Sequence, residues 1–279
     1  MTVGEAKRYI IDELEFVSDS ANFEAAEILI FATGISRADL LFSGKEQISR
    51  GQLIRIKRLI KKRKKGIPLQ YLIGEWEFYS LPFKVGKGVL IPRADTEILV
   101  DNALDYLSKT EQPQVVFDLC SGSGAIGIAI AHNRPLDKIT LVEKSAKAFK
   151  YLKYNNRVNS TGCEEIFADA LSWCPKEKCD LLVCNPPYIR TKVISALSKE
   201  VKREPKMALD GGRDGLYFYR QITARAKELI KHGGRIMFEI GFDEADEVSE
   251  ILKQTGFTNI EIFKDYGGND RLASGDFKP

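Results

Sequence analysis

Apolar residues recur at three- and four-residue intervals through the first part of the chain, as they do along one face of a helix. Ala6, Ile10 and Leu14 repeat in this way among charged neighbours. The same spacing predicts helices over residues 3–17, 22–33, 36–41 and 49–64. Ser36 is the predicted N-cap of the third and shortest of these helices. We therefore expect a small helical bundle over residues 1–66.

The pattern changes between residues 67 and 91, where aromatic residues flank a turn at residues 80–82. Trp76, Phe78 and Phe83 are residue types that favour strands. We predict a β-hairpin over residues 67–91 that links the bundle to a second domain. That domain would occupy residues 92–279 and begin with a helix over residues 92–107.

From residue 114 onward, short apolar runs alternate with segments of helical periodicity. The predicted strands span residues 115–119, 139–143, 165–168, 181–185, 235–240, 260–264 and 272–277. The predicted helices span residues 124–132, 146–158, 216–231 and 243–255, the last with Asp243 as its N-cap. Such alternation predicts a doubly wound α/β fold with a mostly parallel seven-stranded sheet. The last two strands are too close in sequence for a helical crossover, so we expect antiparallel pairing there.

Composition mainly excludes classes of function. The 279 residues are 44% hydrophobic and carry a formal net charge of +3, which says little about partners. The five cysteines show no C-x-x-C spacing and there are only two histidines, so neither disulfides nor a metal site is expected. Acidic residues interrupt the first helix, and no apolar stretch reaches membrane-spanning length. We expect a cytoplasmic protein without a membrane partner.

Charge is concentrated in one segment, between Arg50 and Lys65, which contains nine lysines and arginines and no acid. Two interpretations stay open. The run is either a solvated helix face or a patch that attracts an anionic partner, such as RNA or an RNA-bound protein.

A glycine-rich loop follows the first strand of the predicted sheet. Gly122, Gly124 and Gly127 have the G-x-G-x-x-G spacing that also occurs in dinucleotide-binding enzymes. Glycines let the backbone turn sharply and approach a ligand closely. Asp118 lies just before the loop, where its charge would repel a pyrophosphate but attract the ammonium group of an amino acid. The loop therefore indicates a nucleoside ligand with an amino-acid tail.

Two more acids follow the next strands of the predicted sheet. Glu143 is placed to accept hydrogen bonds from ribose hydroxyls, as an acid does in dinucleotide-binding folds. Asp169 is placed to accept from an adenine amino group, with Ala170 against the ring. Three acids at successive strand ends could each bind one part of a ligand that contains an amino acid, a ribose and an adenine. S-adenosylmethionine carries all three, and it is the predicted cofactor.

The tetrapeptide Asn185–Tyr188 follows another predicted buried strand and reads Asn-Pro-Pro-Tyr. Its prolines fix the backbone and cannot donate hydrogen bonds. The Asn185 side-chain oxygen and the Pro186 carbonyl are therefore predicted to accept the two N–H groups of a planar NH2 group, with Pro187 and Tyr188 forming the slot. Such acceptors would orient a poorly nucleophilic nitrogen toward a methyl donor. A stiff turn without a ligand is the simpler interpretation of these four residues alone.

Three further stretches accompany the motifs at Asp118–Gly124 and Asn185–Tyr188. They are Pro68-Leu-Gln-Tyr-Leu-Ile-Gly74, Ile91-Pro-Arg-Ala-Asp-Thr-Glu97 and Glu204-Pro-Lys-Met-Ala-Leu-Asp-Gly-Gly-Arg-Asp-Gly-Leu216. With them, the chain resembles the HemK/PrmC family of protein-(glutamine-N5) methyltransferases along nearly its whole length. The family often has Asp at position 143, where Glu143 keeps the acceptor, and a bulkier residue at position 170, where Ala170 would contact the adenine.

The resemblance implies a class I S-adenosylmethionine-dependent methyltransferase fold and methylation of the glutamine in the Gly-Gly-Gln motif of a peptide chain release factor. It implies that the cofactor contacts Gly122, Ser123, Gly124, Ala125, Ile126, Glu143, Ala170 and Asn185, and that Asn185, Pro186, Pro187 and Tyr188 hold the substrate glutamine. The helical domain would recognise the release factor, with no nucleic acid required. For the segment from Glu204 to Leu216 we favour a structural role around Asn185.

Three alternatives differ in what they would need. A nucleic-acid amino methyltransferase, acting on adenine N6 or guanine N2, would use the same slot but would have to flip a base into it. A non-catalytic binding module would not need the paired acceptors after residue 184. A dehydrogenase is disfavoured by Asp118. At Arg93, Asp95, Thr96 and Glu97, a substrate entrance and a capped helix start after Pro92 both remain open.

Overall fold

The computed structural model describes residues 1–278, and its internal contacts divide them into two units. The first unit comprises residues 1–74 together with residues 198–203. The second comprises residues 75–197 and the chain from Glu204 onward. The first unit thus extends beyond the predicted limit at residue 66 and includes a short segment from much later in the chain.

The first unit is built from four α-helices, three of which match predicted helices, whereas the helix predicted over residues 36–41 is only a 3₁₀ turn at Asp39–Leu41. They are α1 (Val3–Leu14), α2 (Ala21–Thr33), α3 (Arg50–Arg63) and α4 (Leu69–Ile73). A capping box closes the start of α1 and of α3, because Thr2 and Ser49 each exchange hydrogen bonds with the residue three positions later. Ala6, Ile10 and Leu14 are fully buried in the core of this unit, which confirms the predicted apolar face.

One residue of the basic run is not on the surface. The Arg63 side chain is 3% exposed and forms ion pairs with Glu24 at 2.7 Å and Glu200 at 2.6 Å. Glu24 is itself buried, and it receives two guanidinium N–H groups in a bidentate contact. The other eight basic residues between positions 50 and 65 are exposed. Arg63 therefore has a structural role, and the exposed basic surface is made by the rest of the run.

The predicted hairpin is shorter than residues 67–91. Leu69–Ile73 forms α4, which ends at Gly74 with φ 85°, a conformation that favours glycine. The hairpin consists of β1 (Glu75–Phe78) and β2 (Leu81–Lys84), and these strands pair antiparallel. Tyr79 and Ser80 make the turn with φ of 51° and 59°. A two-residue turn with both φ positive matches the twist of the strands that it joins.

Seven strands form the sheet of the second unit: β3 (Val115–Leu119), β4 (Lys138–Glu143), β5 (Glu164–Phe167), β6 (Cys179–Cys184), β7 (Ile230–Glu239), β8 (Phe257–Lys264) and β9 (Asp270–Phe277). Their spatial order is β5-β4-β3-β6-β7-β9-β8. The strands from β5 to β7 pair in parallel, and β9 runs antiparallel to both of its neighbours. This is the class I methyltransferase fold, and the predicted fold class is confirmed.

Helices cover both faces of this sheet: α5 (Glu97–Ser108), α6 (Ala125–Asn133), α7 (Ala146–Val158), α8 (Tyr217–Ala224), α9 (Ala226–Leu229) and α10 (Ala245–Gln254). Alternate strand residues enter two separate cores. Val116 packs with residues of α5 and α6, whereas its neighbour Phe117 packs with residues of α8 and α10. A strand buried on both sides reads as a continuous apolar run, which is why these strands were recognisable in the sequence.

Three predicted positions near the end of the chain are wrong, namely one helix end, one strand start and one N-cap. The helix expected over residues 216–231 ends at Leu229, and β7 begins at Ile230 rather than at residue 235. The strand starts early because Ile230 pairs with Cys179 of β6; residues 231–234 then form a bulge, with Gly233 at φ 82°. The N-cap of α10 is Glu244 instead of Asp243. The Glu244 carboxylate is buried and accepts from the Gly241 amide at 3.0 Å.

The described residues can also be searched for disulfides, membrane-spanning helices and metal sites. All five cysteines are free thiols, and Cys184 is fully buried at the end of β6. Across residues 1–278, none of the helices has the length and apolar character needed to cross a membrane. The same residues contain no group of three or more histidines, cysteines or acids arranged to hold a metal ion.

Candidate active site

A cavity of about 920 Å³, counting the part open to solvent, lies at the carboxyl ends of β3, β4 and β6. The chain leaves β3 for β4 on one side and later returns to β6 on the other, so the cavity lies where the strand order reverses. Ligands of doubly wound folds bind at such points. Of the predicted site residues, those in its lining are Gly122, Ser123, Ala125, Ile126, Glu143, Asp169, Ala170, Asn185 and Pro187. Asp118, Gly124, Pro186 and Tyr188 do not line it.

The glycine-rich loop forms the floor of the cavity beside the start of α6. Gly122 and Gly124 have φ of 58° and 83°, so the backbone passes twice through the left-handed region that glycine tolerates. Gly127 has a different role. A Cβ built on it would lie 2.2 Å from Leu141 Cδ2, so its absence lets α6 pack closely on β4. Two of the three glycines therefore shape the loop, and the third allows the helix to approach the sheet.

Asp118 lies behind the loop instead of facing the cavity. It is fully buried, and its Oδ2 accepts from the Gly127 amide at 2.9 Å. Its Oδ1 has no hydrogen-bond partner among the described residues. Burial raises the pKa of Asp118 to about 7. Asp118 therefore anchors the first turn of α6 and stabilises the loop from beneath, and its attraction for a ligand's ammonium group stays a prediction.

Glu143 lies in the cavity lining at the end of β4, as the sequence indicates. Its Oε2 accepts from the Gly122 amide at 2.9 Å, and its Oε1 accepts from the Ser145 amide. Burial raises the pKa of this carboxyl above its ordinary value. These two backbone contacts fix its orientation, and each carboxylate oxygen keeps a further lone pair. The group can therefore accept hydrogen bonds from a diol such as the two hydroxyls of a ribose.

Asp169 and Ala170 line the next part of the cavity, two and three residues beyond the end of β5. Asp169 Oδ1 accepts from the Leu171 amide at 3.0 Å, and its Oδ2 pairs with Lys144 at 3.2 Å. The guanidinium group of Arg225 donates to the Ala170 carbonyl at 3.1 Å, which holds this wall in place. Arg225 lies 55 residues from Ala170, and sequence reasoning missed it because nothing local marks that contact.

Asn185 follows the last residue of β6 and is half-buried at the cavity wall. Its Nδ2 donates to Glu239 Oε2 at 2.8 Å, and it lies 3.4 Å from Thr96 Oγ1. None of residues 1–278 donates a hydrogen bond to its Oδ1 in this structure. Pro187 lines the cavity, whereas Pro186 is buried and the Tyr188 hydroxyl donates to Glu239 Oε1 at 3.3 Å. The Asn185 amide is thus tied down through its nitrogen.

The segment after Glu204 braces this turn, which confirms the expected structural role. Ile189 donates its amide to the Leu209 carbonyl and receives the Gly211 amide at its own carbonyl, both at 2.9 Å. A Cβ on Gly211 would lie 2.7 Å from the Pro187 carbonyl oxygen and from Tyr188 Cα. The two backbones therefore approach each other more closely than any side chain would permit.

Glu204 joins two walls of the cavity. It is buried, accepts from the Ile91 amide at 3.0 Å and forms an ion pair with Arg93. Residues on either side, including Arg93 and Met207, line the cavity. Thr96 lines it as well and donates its hydroxyl to Glu239 at 2.6 Å. The segment at positions 93–97 contributes to the cavity wall and leads into α5, whose start has no side-chain cap, and the substrate entrance stays a prediction.

Glu239 is a second residue of the site that sequence reasoning missed. It ends β7, is 2% exposed and accepts hydrogen bonds from Thr96, Asn185 and Tyr188. Burial raises its pKa to about 7. A signal was present, since an acid within the apolar run Ile236–Ile240 needs a buried partner.

Comparison with known proteins gives a consistent picture. Residues 5–74 match the PrmC N-terminal domain family, and residues 95–215 match the methyltransferase small domain family. The crystal structure of M. jannaschii TYW2 in complex with AdoMet is similar with a TM-score of 0.50 and 16% identity, over 72% of this chain and 84% of that one. This likeness shows the fold alone.

Two relatives are closer in sequence. The release factor glutamine methyltransferase of Fusobacterium nucleatum subsp. nucleatum is 44% identical over 217 residues, which are 77% of this chain and 61% of that protein. The protein of the same name from Thermodesulfovibrio yellowstonii is 40% identical over 271 residues, which are 94% of this chain and 96% of that protein. Because the second match spans nearly the full length of both proteins, the chain belongs to the release factor glutamine methyltransferase family.

Proposed function

We propose that this protein transfers a methyl group from S-adenosylmethionine to the side-chain nitrogen, N5, of the glutamine in the Gly-Gly-Gln motif of a peptide chain release factor. It would thereby act on a protein of translation termination. The observation that carries the proposal is the state of Asn185. Its nitrogen is bound to a buried carboxylate, and it lines the cavity at the carboxyl ends of β3, β4 and β6.

The cavity suits the cofactor in three places. Glu143 offers carboxylate oxygens to the ribose, and Asp169 with Ala170 offers an acceptor and a small apolar surface to the adenine. The loop from Gly122 to Ile126 offers closely approaching backbone to the amino-acid tail. When bound, S-adenosylmethionine supplies a methyl group activated by a sulfonium centre. The protein's part is to bind and orient both reactants.

The substrate amide needs orientation because its nitrogen lone pair is delocalised into its own carbonyl. We assign Asn185 Oδ1 and the Pro186 carbonyl as the acceptors of the two N–H groups, with Pro187 and Tyr188 completing the slot. Neither proline has an N–H that would compete for the substrate. Acceptors fixed in advance are worth more as the nitrogen gains positive charge during transfer. Positioning of two reactants contributes about 7–11 kcal/mol in favourable systems.

The first unit is proposed to recognise the release factor, without nucleic acid. Eight exposed basic residues between Arg50 and Lys65 favour a partner surface of negative charge. An association rate that falls as salt is added would support this docking surface. A rate independent of salt would remove it while leaving the catalytic proposal intact.

The test is mass spectrometry of a purified release factor after incubation with the protein and S-adenosylmethionine. We expect the mass of one CH2 group on the glutamine of the Gly-Gly-Gln motif, and none on a release factor with that glutamine changed to alanine. The matched arms contain DNA or RNA in place of the release factor. Methyl groups found only in nucleic acid would favour the alternative, an amino methyltransferase that acts on adenine or guanine.

A further inference from the structure

The side chain of Asn185 presents an orientation problem. A carboxamide has nearly the same shape when it is turned over, but its oxygen and its NH2 group then exchange places. With the NH2 group toward the cavity, two donors would face the two N–H groups of a substrate amide. The side chain helps the reaction only in the orientation that directs its oxygen to the cavity, so the protein must fix that orientation.

We propose that Glu239 is a positioning residue for the transfer, because it binds the Asn185 nitrogen and thereby holds the Asn185 oxygen toward the substrate. The catalytic consequence rests on the proposed function. The orientation itself does not, because it is a property of the protein without substrate.

The sheet brings the two residues together. Strands β6 and β7 are parallel neighbours, and Cys184 pairs with Phe238 in their register. Asn185 follows Cys184 and Glu239 follows Phe238, so both side chains emerge at the carboxyl-end edge of the sheet. Asn185 Nδ2 lies 2.8 Å from Glu239 Oε2, which is the length of a strong hydrogen bond to a carboxylate.

Glu239 is the acceptor in its hydrogen bond with Asn185. An ionised carboxylate accepts hydrogen bonds and donates none, so the group that faces it must be the NH2 of Asn185. Thr96 also donates its hydroxyl to Oε2, at 2.6 Å. The Tyr188 hydroxyl donates to the other oxygen, Oε1. Three separate segments thus hold the carboxylate in place.

Protonation of Glu239 would not reverse the arrangement. Burial raises its pKa to about 7, and the charge of Arg271 on β9 acts in the opposite direction. Oε2 already accepts from two donors, whereas Oε1 accepts from one. An added proton therefore goes to Oε1, and Oε2 stays an acceptor for Asn185.

The decisive variant is Glu239→Gln, which keeps the size but can present an NH2 group to Asn185. We expect kcat to fall by about 10–100-fold, on the scale of a misdirected polar contact, with little change in the Kd for S-adenosylmethionine. The matched control is Glu244→Gln, another buried glutamate, which bonds to Gly241 and Tyr219 and does not touch Asn185. We expect that control to keep its kcat.

A double-mutant cycle separates positioning from general stabilisation. If Glu239 acts through Asn185, then Glu239→Gln lowers kcat in the natural protein but has little further effect in an Asn185→Ala background. An equal loss in both backgrounds would show that Glu239 only supports the structure, and it would overturn the proposal.

A second measurement needs neither substrate nor a folded Glu239 variant. In protein labelled with ¹⁵N-asparagine, the side-chain NH2 signals that disappear in Asn185→Ala are those of Asn185. We expect them to be shifted downfield and protected from exchange by the carboxylate. Signals at ordinary positions with fast exchange would overturn the orientation. Shifted, protected signals in a protein that does not methylate a release factor would support the orientation and refute the proposed function.

Discussion

Replacing Asn185 with alanine removes the side-chain oxygen that we assign to the substrate amide, and little else. Asn185 is half-buried, and its only side-chain hydrogen bonds among the described residues go to Glu239 and Thr96. Glu239 keeps the Thr96 hydroxyl at 2.6 Å after the change, so its carboxylate is not left without a donor. The variant is therefore expected to fold.

The magnitude follows from which state of the reaction uses the contact. Loss of one preorganised polar contact to the transition state lowers turnover by about 100-fold or more. One ordinary hydrogen bond is worth about 1 kcal/mol, so the Kd for S-adenosylmethionine should change by no more than about fivefold. A large change in kcat with a small change in Kd is the expected pattern.

The assay is single-turnover transfer of a tritiated methyl group to a release factor, with cofactor binding measured separately by calorimetry. Asn102→Ala is the matched control, because the Asn102 side chain donates to the Ile98 carbonyl within α5 and makes no other hydrogen bond among residues 1–278. Near-normal turnover in Asn185→Ala would refute the orientation mechanism. A cofactor Kd weakened as much as kcat would also refute it, since the side chain would then serve cofactor binding.

The remaining predictions concern stability. Burial raises the pKa of both Asp118 and Glu239 to about 7, so between about pH 5 and pH 8 the folded protein binds more protons than the unfolded chain. The free energy of unfolding, measured by denaturant titration, should fall across that range by on the order of a few kcal/mol; a constant or rising value would contradict the burial argument. Gly127→Ala should lower the free energy of unfolding by about 1–3 kcal/mol, because the added methyl would lie 2.2 Å from Leu141 Cδ2, and a melting temperature equal to that of the natural protein would show that α6 can shift. Arg63→Ala should destabilise the first unit by about 3–5 kcal/mol, because it leaves a buried glutamate unpaired, whereas Arg58→Ala, at an exposed position of the same helix, should have little effect in the same measurement.

Local patterns determined much of what the sequence predicted. Strands such as β3 and β6 are short apolar runs bounded by loops, and burial on both faces makes that signal independent of distant residues. The glycine-rich loop and the Asn-Pro-Pro-Tyr turn were recognisable for the same reason, because their backbone geometry depends on adjacent residues. Glu143 was predicted in the cavity because a strand end fixes where its side chain emerges.

The tertiary structure alone decided which polar groups meet. The sequence placed Asp118 just before the loop, and only the packing of α6 against the sheet shows that it is buried behind that loop. The sequence assigned Arg63 to a charged surface. In the structure Arg63 is instead buried and forms ion pairs with two glutamates. Thr96 and Glu239 are 143 residues apart, and Asn185 and Glu239 are 54 apart, so no local pattern indicates that they share a hydrogen-bond network. Hydrophobic periodicity depends on near neighbours and can be read along the chain, whereas the partner of a buried polar group is set by the register of distant strands.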